Sequence, residues 1–482
     1  MRKMRDSGIE WIGAIPQDWK TDRLQWHLKE INVSNNPIQT KNILSLTIEA
    51  GVIPYAEKGN QGNKAKEDYS QYKIAFPDTL VINSMNVIIG AVGISQYFGC
   101  VSPVYYVFGS IEGTDLRYIY YLFTNTGFQK EMRKYAKGIL EIRLRISSND
   151  MLKRIVPSPP FKEQQRIADY LNKMCAEIDT VLEKTRASIE EYKKLKQAVI
   201  TQAVTKGIRG DRPMKDSGIE WIGDIPAEWR KTQLRHCAAI KSGITLGKKY
   251  EKTDSLVERP YLRVANVQDG YVDLSVLTTI EVTQDEDLKY RLRAGDVLMT
   301  EGGDRDKLGR GCVWHGEIEP CLHQNHIFAV QTSKDTLLPE FLEYLTVSDV
   351  GRSYFDVTAI KTTNLACTSS SKVLAFTIPL PSVEEQAEIV EALNTKCAGI
   401  DALVAKKQQY LTEIENYKKS LIYEYVTGKK EVHPLWRQFQ ALLNLFSRSQ
   451  NWTTLLSVTV VRITRRCFLG ASQTKRLICF RQ

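Results

Sequence analysis

EQQRIADYLNKMCAEIDTVLEKTRASIEEYKKLKQAVITQAVT, residues 163–205, is the stretch that decides the fold, because the chain repeats it 222 positions later. Residues 385–427 keep the same landmarks without an insertion: a Glu-Gln pair at the start, a central cysteine, an Ile-Asp pair and a terminal Val-Thr. Two copies of one long segment predict a tandem duplication.

Each copy is predicted to be a helix with one apolar stripe, since its apolar residues recur at steps of three and four. A Pro-rich stretch precedes each copy, Ser382 and Glu385 match a capping box, and Gly207 and Gly428 follow the expected helix ends. At roughly 1.5 Å per residue each helix would be about 65 Å long. The residues predicted to form the stripe are Ile167, Leu171, Ile178 and Val181 in the first copy and Ile389, Leu393, Ile400 and Leu403 in the second.

A helix of this length must cover its apolar stripe with an equally long partner. The nearest such partner is its own repeat. We therefore expect the two helices to pack side by side as an antiparallel coiled coil within one molecule. Two independent surface helices are the alternative.

A second motif is also duplicated: DSGIEWIGAIPQDW at residues 6–19 returns as DSGIEWIGDIPAEW at residues 216–229. We call this motif the tag. The chain thus consists of two half-molecules, each with a tag, a globular stretch and a long helix. The tag tryptophans Trp11, Trp19, Trp221 and Trp229 are expected to pack as small cores near the helix ends. An aromatic ligand cage is the alternative.

The two globular stretches are predicted to share one mixed fold. Runs rich in β-branched and aromatic residues indicate strands at 79–94, 102–108, 259–267, 295–300 and 326–330, and helices are predicted at 118–123 and 341–345. Only weak matches, such as Tyr72 with Tyr290 and Leu80 with Leu298, connect the two stretches. They therefore look like one fold that has diverged to read two different things.

Composition excludes several classes of protein. A chain of 482 residues with 43% apolar residues predicts two to four domains with ordinary cores, and is not typical of disorder. Nine cysteines without a CxxC pair favour reduced thiols. Because no apolar run is long enough for a signal peptide or a membrane span, we expect a soluble cytoplasmic protein.

The net charge of +10 says little about nucleic acid, because eight Lys or Arg and no Asp or Glu lie between His433 and Gln482. The remainder of the chain carries only about +2. This tail, residues 433–482, resembles out-of-frame translation more than a folded domain. A basic arm on DNA is the alternative.

Both repeats run from GIEWIGxIPxxW, through a globular region, to PxPPxxEQ or PLPSxEEQ and a long helix that closes in VTKG or VTGK. This order resembles the specificity subunit of type I restriction-modification enzymes, from residue 1 to about residue 432. The resemblance implies an α+β protein in which two globular target-recognition domains are joined by two long antiparallel helices in an intramolecular coiled coil. The implied segments are 1–158 (first recognition domain), 159–210 (central helix), 211–380 (second recognition domain), 381–432 (distal helix) and 433–482 (atypical tail).

In this family each recognition domain reads one half of a bipartite site in double-stranded DNA. The helices act as a spacer and dock two modification (methyltransferase) subunits, which methylate adenine at N6 with S-adenosylmethionine. A restriction subunit adds translocation and cleavage with ATP and Mg. The resemblance thus implies a DNA-reading subunit without a cofactor, a metal or a membrane contact of its own.

The motifs support a non-catalytic subunit, since the chain contains no GxxxxGK[ST], no GxGxxG after a strand and no Asn-Pro-Pro-Phe or Asp-Pro-Pro-Tyr. A stand-alone DNA-binding scaffold or regulatory protein without a methyltransferase partner is the alternative.

The residues predicted to contact DNA are loop residues in which Lys or Arg lies near Gly or Asn, because Arg suits guanine and Lys suits phosphate. A solvated surface charge is the alternative for each of them. The first domain offers Lys58, Asn60, Lys64, Lys66, Lys137, Arg143 and Arg145, and the second offers Lys248, Lys249, Arg263, Arg305, Lys307, Arg310 and Lys361.

A zinc site is one interpretation of the Cys and His residues between Cys312 and His326. Their spacing, C-x2-H-x5-C-x-H-x2-H, matches no familiar zinc finger, and His326 begins a predicted strand. We therefore expect no metal there.

Overall fold

The computed structural model describes residues 2–59, 68–138, 144–251, 255–303, 308–361 and 366–433. The chain divides into two compact units: the first combines Met1–Asp179 with Glu415–Gln482, and the second is Thr180–Ile414. Each unit contains one tag, one globular stretch and a part of both long helices. The helices therefore belong to the units rather than forming segments of their own.

The first unit carries short strands, short helices and the start of the first long helix. Its strands are β1 (Met4–Asp6), β2 (Ala14–Pro16), β3 (Lys20–Arg23), β4 (Leu28–Glu30), β5 (Leu44–Thr47), β6 (Gly51–Pro54), β7 (Lys73–Ala75), β8 (Thr79–Asn83), β9 (Val92–Ser95), β10 (Gly99–Val101), β11 (Tyr105–Ser110) and β12 (Ile155–Ser158). Its helices are α1 (Leu116–Thr124), α2 (Thr126–Arg133), α3 (Ser148–Leu152) and the long α4 (Phe161–Lys206), which ends in the second unit.

The second unit repeats this order. Its strands are β13 (Met214–Asp216), β14 (Asp224–Pro226), β15 (Arg230–Gln233), β16 (Ala238–Ser242), β17 (Leu256–Leu262), β18 (Thr278–Thr283), β19 (Val297–Thr300), β20 (Gly302–Gly303), β21 (Gly311–Val313), β22 (Leu322–His323), β23 (Ile327–Thr332), β24 (Ile360–Lys361), β25 (Ala366–Cys367) and β26 (Thr377–Leu380). Its helices are α5 (Gln284–Tyr290), α6 (Pro339–Val347), α7 (Asp349–Thr358), α8 (Ser370–Ala375) and the long α9 (Val383–Val426), which ends in the first unit.

The two units share one topology, which confirms the predicted common fold. Each contains a four-stranded antiparallel sheet, in the order β4-β11-β8-β9 in the first unit and β16-β23-β19-β21 in the second. Each tag forms a hairpin, β1 with β2 and β13 with β14, and the strand before each long helix pairs with the strand after the tag. The second unit adds the ribbon of β17 and β18 followed by α5.

The predicted strand at 79–94 is wrong as a single element. It is a hairpin in which β8 ends at Asn83, a short 3-10 helix covers Val87–Ile89, and β9 begins at Val92. The turn closes at Gly90, whose φ of +85° lies in the left-handed region that favours glycine. The predicted strand at 259–267 likewise ends at Leu262, where a 3-10 helix (Val264–Asn266) follows.

The long helices run antiparallel within each unit. In the first unit the rings of Tyr170 and Tyr425 lie 4.6 Å apart, and Asp179 forms an ion pair with Lys418 at 2.5 Å. As the residue number rises along α4 it falls along α9. The same holds in the second unit, where Lys196 forms an ion pair with Asp401 at 2.7 Å and Arg209, just after α4, forms one with Glu388 at 2.8 Å. The predicted antiparallel helix pair is confirmed.

The buried stripe differs in part from the predicted one. Ile167, Leu171, Ile178, Ile389 and Leu393 are buried, and Ile400 is half-buried.

The prediction is wrong at Val181 and Leu403, which are 42% and 44% exposed. Leu182 takes the buried position on α4, because it lies one heptad from both Cys175 and Ile189, which are buried as well. Val181 lies one heptad before the polar Ser188, so the stripe cannot continue along its side of the helix.

The core of the second unit includes the long helices. Ile200 and Val204 of α4 and Leu393 of α9 pack in one cluster with Trp229 of the tag and Phe341 of α6. We call the tag and the globular stretch of each unit together a module. The apolar stripe of this unit is therefore covered by the module as well as by the partner helix. Among the described residues no helix is both long and apolar enough to cross a membrane.

Candidate nucleic-acid interface

The Glu-Gln pair at the start of α4 attaches the first module to the helix. The Glu163 carboxylate accepts hydrogen bonds from Trp19 Nε1 at 3.0 Å and from Arg2 Nη1 at 2.5 Å. Gln164 Oε1 accepts from the backbone N of Asp115, and its Nε2 donates to the carbonyl of Pro159, both at 2.9 Å. One residue thus binds the tag, and the next binds the residue that precedes α1.

The second unit repeats these contacts. Glu385 accepts from Trp229 Nε1 at 2.9 Å and from Arg212 Nη1 at 2.6 Å. Gln386 Oε1 accepts from the backbone N of Leu338 at 2.8 Å, directly before α6. The capping-box prediction holds for the Ser382 half only: its Oγ accepts from the backbone N of Glu385, whereas the Glu385 carboxylate is engaged by the tag.

The ends of the helices also receive the tags. Gly207 and Gly428 follow α4 and α9 with φ of +73° and +70°, as predicted for helix-terminating glycines. A Cβ on Gly428 would lie 2.5 Å from Pro16 and 3.0 Å from the Trp19 ring, so the first tag packs directly on this position. Trp19 and Trp229 are fully buried, which fits the predicted small cores, while Trp11 and Trp221 are half-buried.

Each module has a corner at which two loops meet, which we call the hairpin corner. In the first unit it comprises Ser84, after β8, and the pair Lys137 and Arg145, whose backbones exchange two hydrogen bonds of 2.8 Å. Ile146 N donates to the carbonyl of Ser84 at 3.2 Å and joins the two loops.

The hairpin corner of the second unit comprises β20, β24 and β25 together with Glu301. We call the strand and helix topology that the two modules share the frame. At this second corner the two loops are joined by the 2.7 Å hydrogen bond from Thr368 N to the carbonyl of Glu301, one residue earlier in the frame than the Ser84 carbonyl of the first unit. Both modules therefore carry loops of different sequence at the same part of this frame.

Some predicted DNA-contact residues lie at these corners. Lys137 and Arg145 are exposed at the first corner, and Lys361 ends β24 at the second. Arg310 is half-buried just before β21. The corners bring together a part of the predicted set.

Other predicted contact residues lie elsewhere. Lys58 ends a 3-10 helix with its Nζ 5.1 Å from the centroid of the Tyr55 ring. Lys248 forms an ion pair with Glu286, and Lys249 and Arg263 are exposed. The predicted contacts Asn60, Lys64, Lys66, Arg143, Arg305 and Lys307 lie outside the described residues.

A basic and aromatic cluster beside the first corner is not among the predicted contacts. Lys73 Nζ lies 5.5 Å from the centroid of the Tyr106 ring, and the Tyr106 hydroxyl donates to the carbonyl of Ile146 at 3.2 Å. Burial and then the Glu30 carboxylate raise the pKa of Tyr106, whereas Arg145 lowers it. Alternation along β11 is the available signal in the sequence, but the pairing with Lys73 requires the fold.

The residues considered as zinc ligands are not arranged as a metal site. Cys312 and Cys321 are buried in an apolar core, and burial raises the pKa of both thiols to about 12, which disfavours the thiolate that zinc requires. His323 is buried with its Nδ1 3.0 Å from the carbonyl of Ile327. Within the part of the chain that the structure describes, no group of three His, Cys, Asp or Glu residues is placed to hold a metal.

The second unit also contains a groove of about 1000 Å³ lined by both long helices, α6 and the turn around Gly270. Glu343 lies in it, with one carboxylate oxygen accepting from Val313 N at 3.1 Å. Burial raises the pKa of Glu343 to about 7, although this hydrogen bond opposes the shift. The carboxyl group therefore titrates near neutral pH.

Comparison with known proteins agrees with this architecture. The family model described as type I restriction modification DNA specificity domain matches residues 16–191. The Escherichia coli EcoKI specificity subunit is 25% identical over 292 residues, which is 58% of this chain and 58% of that subunit. The Methanocaldococcus jannaschii MjaVIII specificity subunit is 27% identical over 330 residues, which is 67% of this chain and 71% of that subunit.

The chain spans about half to two thirds of the length of such relatives, since the match to a second specificity subunit of M. jannaschii covers 47% of that protein. Among solved structures, a chain from a type I R-M system has a TM-score of 0.64 at 16% identity, and the match covers 86% of this chain and 99% of that chain. This likeness supports the fold. The duplicated module on an antiparallel helix pair is thus similar to the type I restriction modification DNA specificity domain over residues 16–191, and to type I restriction enzyme specificity subunits over 58% and 67% of this chain.

Proposed function

We propose that this chain is the DNA-reading subunit of a type I restriction-modification complex. Each module reads one half of a bipartite site in double-stranded DNA, and the helix pair sets the length of the unread spacer between the halves. The observation that carries the proposal is the repeated frame: one sheet topology and one Glu-Gln attachment occur twice, while the hairpin corners differ. Two recognition modules that share a topology but differ in their corner loops suit a DNA site with two unlike halves.

On this proposal the subunit performs no chemistry. Two modification subunits dock on the helix pair and methylate adenine at N6 with S-adenosylmethionine. A restriction subunit, where one is present, supplies cleavage with ATP and Mg. This assignment is supported by the similarity to the specificity domain and by the absence of the nucleotide-binding and adenine-methyltransferase motifs from the sequence.

Modified adenines are to be mapped genome-wide in cells with and without this gene, and the tagged chain is to be purified from the same cells. The expected result is one bipartite motif whose methylation requires the gene, together with co-purification of a methyltransferase subunit. A chain that binds DNA without changing any methylation would instead be a stand-alone scaffold or regulatory protein, and that result would reject the proposal.

A further inference from the structure

The hairpin corner of the second unit carries a partly exposed carboxylate, that of Glu301. Its backbone is fixed on both sides, because Glu301 N donates to the carbonyl of His326 at 2.9 Å and its carbonyl accepts from Thr368 N at 2.7 Å. Its side chain is 32% exposed. The carboxylate is therefore accessible to a ligand from a fixed point of the frame.

His326 orients this carboxylate. Its Nδ1 lies 2.5 Å from Glu301 Oε2, and the His326 side chain is itself 55% exposed. An ionised carboxylate only accepts hydrogen bonds, so the imidazole Nδ1–H must donate. The contact occupies Oε2 and leaves Oε1 as the oxygen that can accept from a ligand.

At the equivalent position of the first unit the side chain is buried and is not accessible to a ligand. Asn83, the last residue of β8, corresponds to Glu301, the residue that follows β19. Asn83 pairs with Tyr105 on the neighbouring strand, and Glu301 bonds to His326 in the same way. Asn83 is buried, and its Oδ1 accepts from Met85 N at 3.1 Å. One frame position thus holds a buried structural amide in one module and a partly exposed acceptor in the other.

We propose that Glu301 determines specificity in the second module by accepting a hydrogen bond from a cytosine N4 amino group in the major groove. His326 is the positioning residue. A carboxylate is repelled by phosphates, so on a DNA-binding surface it needs a base donor to offset that repulsion. Cytosine N4 is the major-groove donor that Glu accepts from, whereas the adenine amino group lies beside the N7 acceptor, which repels a carboxylate. This inference rests on the proposed function.

The test uses the full-length chain co-expressed with its modification subunits, with the methylated motif as the readout. Glu301→Gln keeps the size of the side chain but adds a donor, and glutamine matches the N6 and N7 pattern of adenine. We expect the preference at one position of one half-site to change from cytosine towards adenine by about 10-fold, with the other half-site unchanged. His326→Phe should relax the preference at the same position.

Glu281→Gln, an exposed change on β18, is the matched control and should leave the motif intact. If Glu301→Gln abolishes methylation while its unfolding midpoint stays that of the wild type, duplexes carrying adenine for cytosine should restore it, and failure to do so overturns the inference. A wild-type motif without cytosine in either half-site, or a motif unchanged by Glu301→Gln, overturns it as well. If the wild-type complex modifies no bipartite site, the proposed function itself fails, which is a separate outcome.

Discussion

Glu163 is a nearly buried carboxylate whose two oxygens are used by Trp19 and Arg2, so its removal leaves the Trp19 indole N–H without its acceptor and the Arg2 guanidinium with Asp18 as its remaining carboxylate partner. Removing one partner of a buried charge pair costs about 3–5 kcal/mol, and the remaining ion pair of Arg2 with Asp18 keeps the expected cost at the lower end. We predict that Glu163→Ala lowers the free energy of unfolding of the first unit by an amount at the lower end of that range. Urea unfolding monitored by tryptophan fluorescence measures it.

Lys162→Ala is the control for this change, since Lys162 is the exposed neighbour on the same turn of α4. It should alter stability by less than about 0.5 kcal/mol. Glu385→Ala should reproduce the Glu163→Ala effect in the second unit, because Trp229 and Arg212 make the same contacts there. Equal effects of Lys162→Ala and Glu163→Ala would contradict the attachment role of the Glu-Gln pair.

Glu343 makes stability depend on pH. Burial raises its pKa in the folded state to about 7 from an ordinary value of 4.5, so the folded state favours the protonated carboxyl group. Ionisation of the folded protein therefore costs stability at pH values above 7, and this cost disappears as the pH falls towards 4.5. The penalty amounts to at most about 3 kcal/mol, since one pKa unit corresponds to about 1.4 kcal/mol.

Glu343→Gln removes this titration and keeps an oxygen that can accept from Val313 N. We predict that the variant is more stable than the wild type at pH 8 and that the difference shrinks towards zero at pH 5. Urea unfolding at the two pH values measures the difference. Glu391→Gln on the exposed face of α9 serves as the control. A wild-type advantage that grows with pH would contradict the sign of the effect.

At the scale of elements, two leucines of α9 show whether burial, and not apolar character alone, determines a residue's contribution to stability. Leu393 is 1% exposed within the core of the second unit, whereas Leu403, ten residues further along the same helix, faces solvent. Leu393→Ala should cost about 2–5 kcal/mol because it leaves a cavity. Leu403→Ala should cost under about 1 kcal/mol, because little surface is buried there. Thermal unfolding of both variants compares the same substitution at both sites. Equal destabilisation would show that Leu403 belongs to the buried apolar stripe after all.

The antiparallel bridge between the exposed residues Lys137 and Arg145 permits a prediction about DNA binding. Replacing both residues by Ala should weaken binding to specific and to unrelated duplexes alike, because phosphate contacts carry no sequence information. The slope of log K against log salt should become shallower by about 0.9 for each phosphate that the variant no longer neutralises. Binding isotherms at several salt concentrations measure it. The double change Lys162→Ala and Lys153→Ala, outside this bridge, is the control. An unchanged slope in the Lys137 and Arg145 variant would exclude binding of these two residues to phosphate.

The sequence predicts those elements that are determined by residues close together along the chain, and it predicts less well those that depend on contacts between distant segments. The duplication, the long helices and their terminating glycines Gly207 and Gly428 are predictable, because spacing alone determines them. The choice between Val181 and Leu182 is harder, because both are apolar and only the heptad neighbours decide which is buried.

For the candidate site, local composition identifies Lys137 and Arg145 but not Lys73 or Glu301. Lys73 reaches Tyr106, and Glu301 reaches His326, only through strand pairings between distant segments. The attachment role of the Glu-Gln pair is hidden for the same reason, since its partners Trp19 and Asp115 lie far along the chain.

At the scale of the molecule, the duplication makes the helix contacts reciprocal. Lys196 of α4 pairs with Asp401 of α9, and the equivalent residues, Lys418 and Asp179, form the same pair with the helices exchanged. Such exposed pairs contribute only about 0.2–1 kcal/mol each, so they fix register more than stability. The first unit is completed by the C-terminal end of α9, with Tyr118 Oη donating to the carbonyl of Val426 at 2.9 Å. Each unit thus needs both helices.

This dependence makes the length of the helices a functional variable. Deleting residues 183–189 and 405–411 together removes one heptad from each helix at equivalent positions, so the apolar stripes stay in register. The helices shorten by about 10 Å at 1.5 Å per residue. We predict a spacer shorter by up to about three base pairs, at 3.4 Å each, with both half-sites unchanged. The measurement is the methylated motif of cells that carry the shortened chain. Deleting only one of the two heptads is the control and should abolish methylation, since the stripes are then out of register; an unaltered spacer in the double deletion would exclude the helices as the ruler.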